Sequence, residues 1–357
     1  MPDPVDYLKA LLAAAVASAM IVLALRFVLR RSVDAIAEVV GVLAVSAGLL
    51  TGYGVLQFSW VWPPASALSR FLTIVLPTIV SVELLAAAVS AKGQGFRSGC
   101  GPDFPEILRF GVCASVGRIL LHGSVYLAGP GKGNTDAWTS SQTIAVLCGS
   151  MAVLITAWTS LCRLSQRSAP GSISLSLVMA ILCAGISTML AGYIKGGAAA
   201  IPLAAALAGT TLASSLLSCC AHQSDARPFC GMIGIGLIGL FSLLCIGRFF
   251  GQLSSPTAIV IFLSPLLCWI SEIPKLRPNA PWQIGAIRLI AVAIPLAAVL
   301  VIAKRDFDQK MAPLLAAPSE MDDGIMITSL ECIPSVGCIT SLGCIPSVES
   351  RLQSPSP

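Results

Sequence analysis

The feature that most constrains this chain is a repetition of apolar blocks about 20 residues long. A helix rises about 1.5 Å per residue, so one such block matches the roughly 30 Å hydrocarbon core of a bilayer. About ten blocks can be drawn, at residues 8–29, 39–59, 71–91, 107–128, 143–161, 172–194, 197–218, 229–253, 257–273 and 284–303. They predict an all-α fold, a polytopic integral membrane bundle of about ten transmembrane helices.

The composition supports a membrane protein over a soluble one. Of the 357 residues, 56% are hydrophobic and only 11% are charged, whereas soluble domains have about 25% charged residues. The net charge of +5 does not indicate nucleic-acid binding, because the basic residues lie between the apolar blocks. The expected partner is therefore the lipid bilayer, and no nucleic-acid partner is expected.

The distribution of Lys and Arg predicts the orientation of the bundle in the cell membrane. Arg30 and Arg31 follow the first block, and most other basic residues fall in loops on that same side. Since basic loops stay in the cytoplasm, the N-terminus is predicted to lie outside, with the first block as an uncleaved anchor. Three basic residues, Lys304, Arg305 and Lys310, would then fall outside. Either the last span tolerates them, or the ninth and weakest block, 257–273, does not cross.

Two patterns predict how the helices pack. Gly48 and Gly52 form a G-x-x-x-G motif, which lets two helices approach closely. The block 197–218 consists mainly of Ala, Gly, Ser and Thr. Because small residues favour tight contacts between membrane helices, this block is predicted to be an interior helix.

Two charged residues lie near the middle of apolar blocks and define the candidate site. Glu83 lies about 12 Å and Arg118 about 15 Å from the inner ends of consecutive blocks, at about 1.5 Å per residue. Blocks joined by a short connection usually pack side by side. The two side chains are therefore expected to lie at the same depth and to form an ion pair, because a lone charge at that depth is costly.

Polar residues extend from Arg118 along one side of its block. Gly111, Ser115, Arg118 and His122 are spaced by four, three and four residues, which places them on one helical face, and Tyr126 continues the stripe. A polar stripe facing lipid would be costly, so it is expected to face the bundle interior.

Two functions fit these residues. In the first, Glu83, Ser115, Arg118, His122 and Tyr126 line a polar pathway for a small solute or a proton, as in a transporter or permease. Prolines at 77, 265 and 295 interrupt blocks, and interrupted helices recur at transporter sites. In the alternative, the protein is a structural or assembly protein, and the same residues only lock helix packing. Oligomeric state and substrate stay open.

The candidate motifs for catalysis or for bound cofactors lack residues or spacings that such sites require. Residues 129–135 resemble a phosphate-binding loop, but Gly133 stands where Ser or Thr is required, so an outer turn is predicted. The potential soft ligands Cys219, Cys220, His222 and Cys230 lack zinc-site spacing. Neither an H-E-x-x-H motif nor a pair of intramembrane Asp residues is found. We expect no metal and no cofactor, and an enzyme is disfavoured.

The C-terminal end differs from the rest of the chain. A domain boundary is predicted after residue 305, with residues 306–357 as a disordered, low-complexity tail. Within the tail a hexad repeats three times between residues 330 and 347, with Cys332, Cys338 and Cys344 at matching positions. A metal site at these cysteines is disfavoured, because no histidine or acid accompanies them at a suitable spacing.

Overall fold

The computed structural model describes residues 4–28, 33–58, 60, 62–92, 104–127, 138–167, 171–221, 230–272 and 281–315. Every regular element in these ranges is a helix, which confirms the all-helical prediction. The α-helices are α1 Pro4–Val28, α2 Val33–Val55, α3 Ala67–Arg70, α4 Leu76–Lys92, α5 Phe104–Leu121, α6 Ser140–Arg167, α7 Gly171–Leu190, α8 Ile194–Ala198, α9 Ala200–Ala221, α10 Cys230–Phe249, α11 Ser255–Leu263 and α12 Pro281–Leu315. A π-helical turn, Phe71–Val75, joins α3 to α4, and 3₁₀ helices cover Val125–Leu127 and Ser264–Glu272.

Nine helical stretches within the described ranges are long and apolar enough to cross a membrane. They coincide with nine of the ten predicted blocks. The exception is block 107–128, which becomes α5. This helix of 18 residues contains Glu106, Arg109 and Arg118, and three charges in that length make it less apolar than the others.

The ninth block reaches membrane length through a change of helix type. Its stretch, Ser255–Glu272, has only 18 residues. The first nine are α-helical and the last nine are 3₁₀-helical. At about 1.5 and 2.0 Å per residue, they extend roughly 31 Å. The block predicted to be the weakest is therefore long enough to cross a bilayer core.

Helix α10 lies at the centre of the packing, with 83% of its candidate span buried. It packs against α4, α5, α6 and α7, among others. Its glycines permit this crowding, because an added Cβ at Gly231 would lie 2.7 Å from Cγ2 of Val42. An added Cβ at Gly236 would lie 3.1 Å from Cδ1 of Leu207. Through Gly231 and Gly234, α10 also lies directly against Glu83 of α4.

The G-x-x-x-G motif of α2 packs as predicted. An added Cβ at Gly48 would lie 2.7 Å from Cβ of Ala206 and 2.8 Å from the carbonyl oxygen of Ala14. At Gly52 it would lie 2.7 Å from Cβ of Pro202. Helix α2 therefore fits between α1 and α9. The prediction of an interior helix at block 197–218 is also confirmed, since 67% of the corresponding span is buried.

Helix α12 passes the predicted domain boundary. It continues without interruption through Leu315, beyond the expected end of the helical part at residue 305. The hexad repeat at 330–347 lies outside the described residues, as do residues 129–135.

Candidate functional site

Glu83 of α4 forms a buried ion pair with Arg109 of α5. The Glu83 side chain is 0% exposed. Nε of Arg109 donates to Oε1 at 3.0 Å, and Nη2 donates to Oε2 at 2.7 Å. This two-point geometry fixes both side chains and gives the carboxylate a charged partner on each oxygen.

The predicted pairing of Glu83 with Arg118 is wrong. Arg109 and Arg118 are nine residues apart, which is about 900° at 100° per residue, so they lie on opposite faces of α5. Arg109 shares the face of the buried residues Val112 and Val116. Arg118 is exposed, and it cannot reach Glu83 while Arg109 does.

Neighbouring helices enclose the ion pair. Glu38 of α2 accepts a hydrogen bond from the backbone N–H of Gly231 at 3.2 Å, which brings a second carboxylate close to the first. An added Cβ at Gly234 would lie 2.7 Å from Oε1 of Glu83. The guanidinium carbon of Arg109 lies 5.8 Å from the centroid of the Trp158 ring, close enough for a cation–π contact. Three further helices, α2, α6 and α10, therefore surround the pair formed between α4 and α5.

A cavity of about 400 Å³ adjoins Arg109, and we call it the Arg109 cavity. Its lining comes from the first half of α5 and the second half of α6: Glu106, Arg109, Phe110, Cys113, Ile155, Trp158, Thr159, Cys162, Arg163 and Gln166. The side chain of Arg109 is 21% exposed. The buried Nε1 of Trp158 has no hydrogen-bond partner among the described residues. Since buried donors are nearly always satisfied, this N–H is a candidate contact for a ligand.

A second cavity of about 510 Å³ lies at the other end of the same two helices, and we call it the Arg118 cavity. Its lining residues are Arg118, His122, Gly123, Ser124, Leu127, Trp138, Ser140, Thr143 and Ile144. Helix α5 ends there at Leu121, and Gly123 follows with a φ of +69°, which suits glycine just after a helix C-terminus. The backbone N–H of Ser124 donates to the carbonyl of Leu121 at 3.0 Å. This turn buries Ser124 and leaves His122 exposed.

The predicted polar stripe does not face the packed interior. Gly111, Arg118 and His122 are all exposed, because the apolar face of α5 packs against the core. Ser115 is partly buried and donates to the carbonyl oxygen of Val112 at 3.1 Å. The expectation that the stripe lies inside the bundle is therefore wrong, although two of its members share the Arg118 cavity.

Tyr126, the last residue of the stripe, belongs to an aromatic cluster. Its ring centroid lies 5.1 Å from that of Trp138 and 5.3 Å from that of Phe249. The backbone N–H of Trp138 also donates to the carbonyl of Tyr126 at 3.1 Å. These contacts join the turn after α5 to the end of α10 and form one side of the Arg118 cavity through Trp138.

Helices α5 and α6 are in close contact between the two cavities. An added Cβ at Gly117 would lie 3.2 Å from Cδ2 of Leu147 and 3.4 Å from Oγ of Ser150. Gly117 is buried. We call this contact the Gly117 seam.

Arg288 of α12 is a second buried charge, which the sequence analysis did not single out. It is 1% exposed. Its Nε donates to Oγ of Ser271 at 2.7 Å, and Nη1 donates to Oγ of Ser172 at 3.2 Å. Its Nη2 lies 3.6 Å from Oε1 of Glu272. The network joins α7, the 3₁₀ stretch and α12.

Sequence reasoning missed Glu38, Arg109 and Arg288 as buried or partly buried charges. Each lies near the end of its apolar block, where a charge normally reaches the membrane surface. One signal could have identified Arg109, because it lies on the apolar face of α5 with Val112 and Val116. The cysteine cluster at 219–230 lies largely outside the residues whose side chains are described.

The fold and site define a class, an all-helical chain with nine candidate membrane spans in its described part and a buried ion pair between helices. Comparisons of the chain with known protein families, with curated proteins and with solved structures found no match.

Proposed function

We propose that the chain is a multi-pass cell-membrane transporter that moves a small polar solute along the contact between α5 and α6. One observation carries the proposal: the same two helices line a cavity at each end, with the Gly117 seam between them. The proposal keeps the predicted orientation, with the N-terminus outside. The Arg109 cavity then faces inside and the Arg118 cavity outside.

Arg109 would couple a bound solute to the buried carboxylate of Glu83, because it contacts both the carboxylate and the cavity. Its guanidinium bonds inward to Glu83, and part of its side chain lies open to the cavity. A solute with acceptor oxygens could bond Nε1 of Trp158, which has no partner among the described residues, and share the guanidinium. Glu83 would then lose part of its pairing, so solute binding and the state of the ion pair would be coupled.

The Gly117 seam separates the two cavities and would act as the barrier. Transporters expose a site to one side of the membrane at a time, usually through movement of one helical group against another. Glycine at the contact lets α5 and α6 meet closely without interlocking side chains. A small separation of the helices there would join the cavities, so the seam is the expected moving part.

Uptake into proteoliposomes tests the proposal with a matched pair of variants. Thr159 is exposed and lines the Arg109 cavity, whereas Thr156 is exposed on the same helix outside it. Both hydroxyls bond a carbonyl one turn back, at 2.9 and 2.8 Å. Thr159→Trp should block the cavity and abolish uptake of a transported solute, and Thr156→Trp should not.

The uptake screen should include a pH-sensitive dye inside the vesicles, because a proton is one of the expected solutes. If the unmodified protein moves none of a broad panel of sugars, amino acids, organic anions, organic cations and protons, the transporter proposal fails. Equal uptake by the two tryptophan variants would instead remove the Arg109 cavity from the route.

A structural or assembly role is the second candidate, and the saturation of Glu83 favours it. Both carboxylate oxygens already bond Arg109, and α10 packs directly against them at Gly234. If pairing is the whole role, exchanging the charges with Glu83→Arg and Arg109→Glu should restore the folded yield lost in either single variant. A transport site should not recover its uptake in the exchanged protein, because the charge facing the cavity is reversed.

A further inference from the structure

We infer that the Arg118 cavity binds a small oxyanion, either a carboxylate or a phosphate. The consequence that the transported solute is itself an anion rests on the proposed function. The binding site does not, because it can be measured without transport.

The ionisable side chains among the described residues that line this cavity are basic. Arg118 and His122 both line it, and no carboxylate is among its described lining residues. No described residue forms an ion pair or hydrogen bond with either side chain. Arg70 adds a third basic group, since its Nη2 lies 3.4 Å from the position that a Cβ on Gly123 would take. A cavity lined by basic groups, with no carboxylate among its described lining residues, favours an anion.

Ser124 points independently to a ligand. The residue is only 8% exposed, and its Oγ has no hydrogen-bond partner among the described residues. Ser124 also lines the cavity. A buried hydroxyl without a partner costs free energy, and a bound oxyanion would accept its hydrogen bond. The guanidinium of Arg118 and the imidazole of His122 would provide further donors to the same anion.

Stabilisation of the C-terminal end of α5 explains only part of this arrangement of basic groups. Cations are favourable at a helix C-terminus, because the last carbonyls carry partial negative charge. Arg70 plays that role, since its Nη1 donates to the carbonyl of Leu120 at 3.3 Å, and its Nη2 donates to the carbonyl of Ala65, before α3, at 3.1 Å. Neither of these bonds involves Arg118, His122 or the hydroxyl of Ser124. These three groups, which share one cavity, are left for a ligand.

Calorimetric titration with inorganic phosphate tests the inference on the full chain in neutral detergent. Ionic strength is held constant with sodium chloride, so that general screening is equal throughout. We expect saturable binding that weakens roughly tenfold in Arg118→Gln and in His122→Gln, the effect of losing one hydrogen bond to a charged group. Lys195→Gln is the matched control, because Lys195 is an exposed cation outside the cavity. It should bind phosphate as the unmodified protein does.

Ser124→Ala separates a ligand contact from a merely unsatisfied hydroxyl. If Ser124 binds the anion, the variant should lose affinity several-fold while its unliganded thermal stability stays equal or rises. If phosphate binding is unchanged, the hydroxyl is not a ligand group and the site as inferred is wrong.

A second arm distinguishes a free solute from a lipid headgroup. Native mass spectrometry measures how much phosphatidylglycerol and how much phosphatidylcholine stay bound to the protein. The unmodified protein is compared with Ser140→Trp, which would fill the cavity, and with Ser141→Trp as the control. Phosphate binding without lipid preference identifies a soluble anion, and a phosphatidylglycerol preference lost only in Ser140→Trp identifies a headgroup. Absence of both overturns the inference. That result would leave transport of a neutral or cationic solute intact, because uptake is measured separately.

Discussion

Nε and Nη2 of Arg109 lie 3.0 and 2.7 Å from the two carboxylate oxygens of Glu83. The pair links α4 to α5 where α10 passes, and Glu83 is fully buried while Arg109 is partly open to a cavity. Neither residue could be removed alone without leaving the other charged and unpaired. The pair is therefore the point at which stability and any solute binding are most closely connected.

Replacing one partner of this pair should lower the free energy of unfolding strongly, and replacing both partners should lower it much less. Arg109→Met or Glu83→Leu alone should lower the free energy of unfolding by about 3–5 kcal/mol, because each leaves a buried charge without its partner. The lower end applies to Glu83→Leu, since Arg109 can still reach water through the cavity. The double variant should recover most of the loss, which a double-mutant cycle in detergent measures.

Additive losses in the double variant would contradict this expectation. They would mean that the two side chains contribute independently, and that the bidentate contact does not hold α4 against α5.

The buried carboxylate could be predicted from the sequence, and its partner only through the apolar face of α5 on which Arg109 lies. Glu83 stands alone in an apolar block, and its burial follows from the cost of exposing it to lipid. Equal distances from the block ends suggest Arg118 as the partner, but Arg118 lies on the face of α5 opposite to Arg109. Which face of α5 turns toward α4 depends on packing with other helices, including α10, whose Gly231 and Gly234 lie against Glu83.

The close packing of α10 predicts a position-specific effect of adding one methyl group. Gly234→Ala should destabilise the protein by about 1–3 kcal/mol, because its Cβ would lie 2.7 Å from Oε1 of Glu83 and would overlap the Trp158 ring. Gly149→Ala is the control, since nothing lies within 4 Å of an added Cβ there. It should be neutral or stabilise α6 by at most about 1 kcal/mol.

Thermal unfolding of the two alanine variants in the same detergent checks this comparison. Equal melting temperatures would show that the contact between α10 and the ion pair is looser than its distances indicate.

Arg288 shows a second limit of sequence reading. It lies about two turns into α12, where a basic residue normally reaches the membrane surface, so its burial is not expected from the sequence. Its polar partners come from other elements. Ser172 of α7 lies more than 100 residues away in the sequence, and Glu272 of the 3₁₀ stretch lies about 16 residues away. By contrast, the Gly48 and Gly52 contacts were predictable, because one local motif carries the information.

Loss of the Arg288 network should loosen the stretch Ser264–Glu272. Arg288→Met removes the hydrogen bond to Ser271 and should cost roughly 1.5–3 kcal/mol, the range for hydrogen bonds to charged groups. Cys268 lies in this stretch and is 0% exposed, so its modification by a maleimide should become faster. Arg305→Met, at an exposed position of the same helix, is the control. Peptide mapping that finds Cys268 equally protected in both variants would contradict the role of the network.

The Gly117 seam should control uptake if α5 and α6 separate during transport. Gly117→Cys combined with Ser150→Cys places two thiols across the contact, because a Cβ at 117 would lie 3.4 Å from Oγ of Ser150. Oxidation should join the helices and stop uptake, and a reductant should restore it. Phosphate binding at the Arg118 cavity should persist in the crosslinked protein, since that cavity lies beyond the seam.

Each single variant, treated with the same oxidant, is the control for the native cysteines. Unchanged uptake by fully crosslinked protein would mean that the solute does not pass between these two helices, and the route would have to be sought elsewhere in the bundle.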